Sequence, residues 1–160
     1  MSLLQVRRLD VFFDTPDGRL VGAQDIAFSV EPGRTTALVG ESGSGKTVSA
    51  MSVLQLLPYP VAGHSPDSEI FWKGQDLLKA PAKALRSIRG NEISMIFQEP
   101  QISLNPVQRI DRQVAEILVT HQGIDWRSAR EQVPDLLVDV GLTDPDRQAR
   151  AYPHQLSGGQ

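Results

Sequence analysis

Eight consecutive residues, Gly40-Glu41-Ser42-Gly43-Ser44-Gly45-Lys46-Thr47, have the types and spacing of a phosphate-binding loop. Its glycines let the backbone wrap a phosphate chain and turn N–H groups inward. If a helix starts at the end of the loop, its positive dipole end faces the same anion. Lys46 is then placed to reach the β- and γ-phosphates, and the Thr47 hydroxyl offers Mg²⁺ a hard oxygen ligand. Gly40, Ser42, Gly43, Ser44, Gly45, Lys46, Thr47 and Val48 are the candidate nucleotide contacts. A second run, Leu156-Ser157-Gly158-Gly159-Gln160, pairs a good helix N-cap residue with two glycines that allow close backbone approach to an anion. Between the two runs, Gln98 follows the apolar Ile93-Ser94-Met95-Ile96-Phe97.

Elements are needed to hold these residues in place. Thr35-Thr36-Ala37-Leu38-Val39 is almost wholly apolar and predicts a parallel strand buried on both faces, leading straight into the glycine loop. Val48, Met51, Leu54 and Leu57 recur at helical spacing until Pro58. Ile93–Phe97 predicts another buried strand, delivering Gln98 at its C-terminal end. Residues 3–13, 26–30 and 69–72 read as strands, with a turn at Thr15-Pro16-Asp17-Gly18, and residues 82–88 as a helix. Beyond Asn105-Pro106 the pattern turns helical. Ile110, Val114, Ile117 and Leu118 form one stripe. Val133, Leu136, Leu137 and Val140 form another, with Gly141 as its C′ residue.

The chain has 160 residues, enough for one domain with a real core. Its net charge of −3 gives no whole-chain basic field for nucleic acid. With no cysteine, it has neither a disulfide framework nor a thiolate metal site. The N-terminal residues carry no signal-peptide pattern. No run of ~18 apolar residues could span a bilayer, so work at a membrane requires a partner.

The loop, Gln98 and the Leu156–Gln160 signature together resemble the nucleotide-binding domains of ABC transporters over essentially the whole chain. Met95-Ile96-Phe97-Gln98-Glu99-Pro100, Ser103-Leu104-Asn105-Pro106 and Tyr152-Pro153-His154-Gln155-Leu156-Ser157-Gly158-Gly159 look like the dipeptide/oligopeptide importer subgroup. Arg89-Gly90-Asn91 and Leu56-Leu57-Pro58 look like its tandem-domain peptide importers, which include the microcin C importer type.

The resemblance implies an α/β P-loop NTPase. It would have a RecA-like core, an N-terminal antiparallel β-subdomain and a helical subdomain, divided as residues 1–98 and 99–160. It implies ATP and Mg²⁺ as ligands. Phe13 would stack on adenine, with Phe12 as rival. Gln98 would contact Mg²⁺ and the attacking water. Ser157, Gly158, Gly159 and Gln160 would bind the γ-phosphate held by a second nucleotide-binding domain. Lys46, Thr47-bound Mg²⁺ and the signature in trans would carry most of the catalysis. Implied partners are that second domain, transmembrane permease subunits and, indirectly, a solute-binding protein. The implied location is peripheral, at the cytoplasmic face of the inner membrane.

Within the family, an apolar strand ending in Asp-Glu and a switch histidine follow the signature, and neither occurs here. The domain is therefore expected to be truncated after the signature, poorly stable alone and without significant ATPase activity. Two rivals to a peptide importer are a soluble ABC ATPase acting on nucleic acid or ribosomes, and a P-loop GTPase or small-molecule kinase. No guanine-reading Asn-Lys-x-Asp motif is present.

Overall fold

The computed structural model describes residues 2–99 and 103–160, so Pro100 of the Gln98-Glu99-Pro100 run lies outside the described residues. It comprises two compact units, Met1–Arg86 and Ser87–Gln160. The division falls earlier in the chain than the expected 98/99 boundary.

Antiparallel pairing builds the first unit. β1 (Leu4–Thr15) and β2 (Gly18–Val30) form a long hairpin around the Pro16-Asp17 turn. Gly18 enters β2 at φ 123°, and the Thr15 hydroxyl donates to its carbonyl at 2.7 Å. On its other edge β1 pairs with β3 (Ala62–His64) along its C-terminal half and with β4 (Glu69–Trp72) along its N-terminal half. β5 (Gln75–Asp76) pairs with β4. An irregularity at Arg8, φ 45°, interrupts the alternation along β1 so that Val6, Leu9 and Val11 are all buried, as are Ile70, Trp72 and Leu77. α1 (Lys46–Val53) packs beside β2. It stops sooner than the stripe to Leu57 predicts, because Gln55 turns to φ 47°. Leu54 and Leu57 are buried even so.

Helices make up the second unit. α2 (Ala82–Ile88), most of which belongs to the first unit, sits where the sequence placed it. α3 (Ile110–Gln122) ends at Gly123 with φ 69°. α4 (Trp126–Asp139) starts at Asp125, whose carboxylate accepts from the N–H groups of Arg127 at 3.0 Å and Ser128 at 3.1 Å. Gly141, at φ 84°, donates to Val138 O at 2.8 Å, and Leu142 donates to Leu137 O at 3.0 Å. These two bonds form a Schellman motif, which makes Gly141 the expected C′ residue. α5 (Pro145–Arg150) completes the packing. The core joins Ile110, Ala115 and Leu118 of α3, Ala129, Val133 and Leu137 of α4, and Ala149 of α5. Three stripe residues face outward instead: Ile117, Leu136 and Val140 are exposed. The buried α4 face is the i, i+4, i+8 set beginning at Ala129.

Two expectations fail. Residues 35–39 form no strand and are exposed throughout, Val39 to 92%. Residues 93–97 form no strand beyond a single bridge at Ile93, and Ile96 is 91% exposed. A two-sided parallel strand needs neighbours on both edges and apolar cover on both faces. Among the described residues no strand supplies either. The signature residues Ser157–Gln160 close as a turn.

The most buried charge is Asp111, only 7% exposed, which takes both Nε and Nη2 of Arg130 on Oδ2. Its Oδ1 finds no partner. Removing the half-exposed arginine strands a buried carboxylate, whereas removing the aspartate frees a cation that water can solvate. Arg130→Ala is therefore expected to cost about 2 kcal/mol and Asp111→Ala about half that, read from urea midpoints. His64 is half-buried with Nε2 unpartnered, and burial lowers its pKa below the usual 6.5. Below about pH 6.5 the unfolded chain takes up a proton that the folded chain resists, so stability falls as pH falls through that window. His64→Gln should flatten the slope of thermal midpoint against pH there, measured by circular dichroism.

Candidate functional site

Gly45 starts the site. It is the N-cap of α1 at φ 85°, ψ 4°, and Gly43 in the preceding turn has φ 81°. Both are left-handed conformations that glycine adopts without strain. Gly45 has a second reason to lack a side chain. A Cβ there would lie 2.6 Å from the carbonyl oxygen of Gly22 and 3.0 Å from the Cβ of Ala23. The loop is thus seated directly on β2. The Gly45 carbonyl accepts from the Ser49 N–H at 2.8 Å and from its hydroxyl at 2.9 Å. This fixes the first turn of α1 and leaves the amides of its first residues directed out of the helix end. No acidic side chain sits in that turn to oppose an anion.

The Lys46 ammonium folds back over the loop. It donates to Gly40 O at 2.8 Å, Glu41 O at 2.6 Å and Ser44 Oγ at 3.2 Å. Gly40 makes room for this arrangement, since a Cβ there would meet Ser44 Oγ at 2.7 Å. The loop therefore encloses a concentrated positive charge together with helix-end amides, and both favour a polyanion. Thr47 is exposed, and its hydroxyl makes no hydrogen bond among the described residues. A hard oxygen beside a phosphate cradle suits Mg²⁺, which takes few protein ligands and keeps water and phosphate oxygens. Among the described residues no cluster of three or more His, Cys, Asp or Glu could hold a metal by itself.

One pocket holds Gly43, Ser44, Gly45, Lys46, Thr47 and Val48 together with Phe13, Leu20, Val21 and Gly22. Phe13 and Phe12 point apart, as neighbours on a strand do. Phe13 lines the pocket, while Phe12 lies under the Arg19 guanidinium at 4.0 Å and against Gly63. Gly40 and Ser42 belong to the exposed loop outside this lining. The sequence reading missed Leu20, Val21 and Gly22. Hairpin register could have found them: with a two-residue turn at Pro16-Asp17, Phe13 falls opposite Leu20.

The other candidates lie in the second unit. Gln98 is an exposed residue in a bend, not the end of a strand. Ser157 to Gln160 form an exposed turn: the Gln160 N–H donates to Ser157 O at 2.9 Å, and the Gln160 side chain accepts from the Ser157 N–H at 3.0 Å. Leu156 anchors this turn against the helical core. Tyr152 and His154 stack beside it, with centroids 5.7 Å apart.

Comparison with known proteins agrees with this architecture. The chain is 51% identical over 158 residues to the peptidoglycan transport ATP-binding protein YejF of Agrobacterium fabrum, covering 99% of this chain and 29% of that protein. It is 38% identical over 157 residues to the oligopeptide transport ATP-binding protein OppD of Bacillus subtilis, covering 98% and 44%. The chain thus spans less than half the length of these relatives. Among solved structures, a dimeric ATP-binding cassette in a post-hydrolysis state bound to ADP and Pi superimposes with a TM-score of 0.79 at 21% identity. That match covers 98% of this chain and 64% of the cassette, and establishes the cassette fold. Residues 23–160 match the family model described as ABC transporter, and the chain belongs to that family.

Proposed function

We propose that this chain is the nucleotide-gripping portion of the ATP-binding subunit of a peptide-class ABC importer. The observation that carries the reading is the pocket that joins the Lys46 loop to Phe13. A cationic cradle for phosphates and an apolar aromatic end for a base meet in one hollow. Relatives named for oligopeptide, dipeptide and peptidoglycan transport support the solute class. That naming and the net charge of −3 both disfavour the nucleic-acid alternative. No helix among the described residues is long and apolar enough to cross a membrane. In this reading the subunit acts on a membrane process through permease subunits and sits peripherally at the cytoplasmic face.

In this reading the Gly43–Thr47 backbone binds the phosphate chain, and Lys46 exchanges its loop carbonyls for β- and γ-phosphate oxygens. Thr47 and Gln98 would hold Mg²⁺, which neutralises phosphate charge when bound. Gln98 also orients the attacking water. Ser157, Gly158, Gly159 and Gln160 face the γ-phosphate on a second nucleotide-binding domain, so hydrolysis requires the pair. Phe13 supplies a flat apolar surface for adenine.

The chain is expected to bind MgATP, and Lys46→Ala should weaken that binding at least about tenfold by removing charge-assisted bonds to phosphate. Titration calorimetry decides this, and equal affinity in the variant would sink the assignment of the loop. Co-purification with integral membrane subunits, and not with ribosomes or nucleic acid, checks the transport half of the reading.

A further inference from the structure

Eight glycines among the described residues have a positive φ that accounts for them, and Gly22 is not one of these. Its φ lies outside the left-handed range, so any residue could adopt its backbone. Space is what singles it out. A Cβ at Gly22 would lie 2.6 Å from Cε2 and 3.3 Å from Cδ2 of Phe13, and 3.3 Å from Cγ1 of Val48. The Phe13 ring occupies the volume that a side chain at this position would fill.

The β1–β2 ladder gives a reason for this crowding. Val11 pairs with Ala23 and Phe12 with Val21, so Gly22 has no partner opposite and is the extra residue of a β-bulge. Bulges re-aim neighbouring side chains and are common beside functional sites. Here the bulge presents Gly22 to the ring and leaves Leu20 and Val21 beside the pocket, 61% and 68% exposed. Phe12 follows the same rule on the other face of β1. It covers Gly63 of β3, where a Cβ would come within 2.4 Å of its ring. Each of two successive aromatics thus lies on a glycine of a different neighbouring strand. Gly22 also ties the two ends of the pocket together, because its carbonyl is the atom that forbids a side chain at Gly45.

We infer that Gly22 is a positioning residue for the base end of the nucleotide pocket: its missing side chain lets Phe13 settle where a base can stack on it. The inference rests on the proposed nucleotide site and adds to it a residue that touches neither phosphate nor metal. It separates the pocket's two functions. Filling Gly22 should damage base recognition and spare the phosphate cradle.

The test compares MgATP with magnesium tripolyphosphate, which lacks a base, by titration calorimetry of the chain and its variants. Gly22→Val is expected to weaken MgATP about tenfold, the scale of one stacked base, and to leave tripolyphosphate unchanged. Phe13→Ala should do the same, and the double variant should bind MgATP no more weakly than either single variant. Gly22→Ala, whose methyl already meets the ring, should show the same split to a smaller degree and guards against a valine variant that fails to fold. The inference is overturned if Gly22→Ala and Gly22→Val bind MgATP as the parent does. Equal losses for both ligands, or additive losses in the double variant, overturn it too. If the parent binds neither ligand, the nucleotide reading itself falls and takes this inference with it.

Discussion

The contact between Gly45 and the Gly22 carbonyl constrains everything around the nucleotide pocket. The two backbones approach so closely that Gly45 has no room for a side chain, while the Phe13 ring fills the space that a side chain at Gly22 would need. Gly45 needs a left-handed turn as well as space, and Gly22 needs only space. The approach seats the start of α1 on the β-sheet, so the loop's cation and the aromatic of β1 are held at a fixed separation. A phosphate cradle alone would bind any polyanion. Its coupling to a hairpin that carries an apolar surface makes the hollow suit a nucleotide.

Much of this was legible before the structure. The glycine–lysine loop, the helix after it, β1 with its closing turn and the Gly141 stop each have local causes: turn chemistry, helical spacing, or a C′ glycine; β2, by contrast, begins at Gly18, well before the strand read over residues 26–30. Phe13 was visible only with Phe12 as a rival, because sequence alone does not say which face of a strand looks inward. Register settles that, counted from the two-residue turn, whereas the bulge that aims Gly22 at the ring is announced by no local pattern. The outward turn of Ile117, Leu136 and Val140 was likewise hidden, since a broad apolar stripe does not reveal which of its residues meets a neighbouring helix.

The two misread strands share one cause. Residues 35–39 and 93–97 have the composition of strands buried on both faces, and composition is all that a sequence reading can weigh. Sheet formation is a property of pairs. The antiparallel strands of the first unit all find their partners within that unit, and each of them forms. The helical unit needs no such partners, because its backbone bonds are internal and its core closes over α3, α4 and α5.

The open run at residues 35–39 has a colloidal consequence. It is short, uncharged and rich in β-branched and aliphatic side chains, with Val39 almost wholly bare to solvent. Backbone groups in such a run are free to recruit the same run on another molecule, and no proline or charge lies within it to discourage the match. Protein concentration therefore governs how this polypeptide behaves in the tube, and handling it dilute, or with a chaperone that masks extended apolar peptide, follows from its composition.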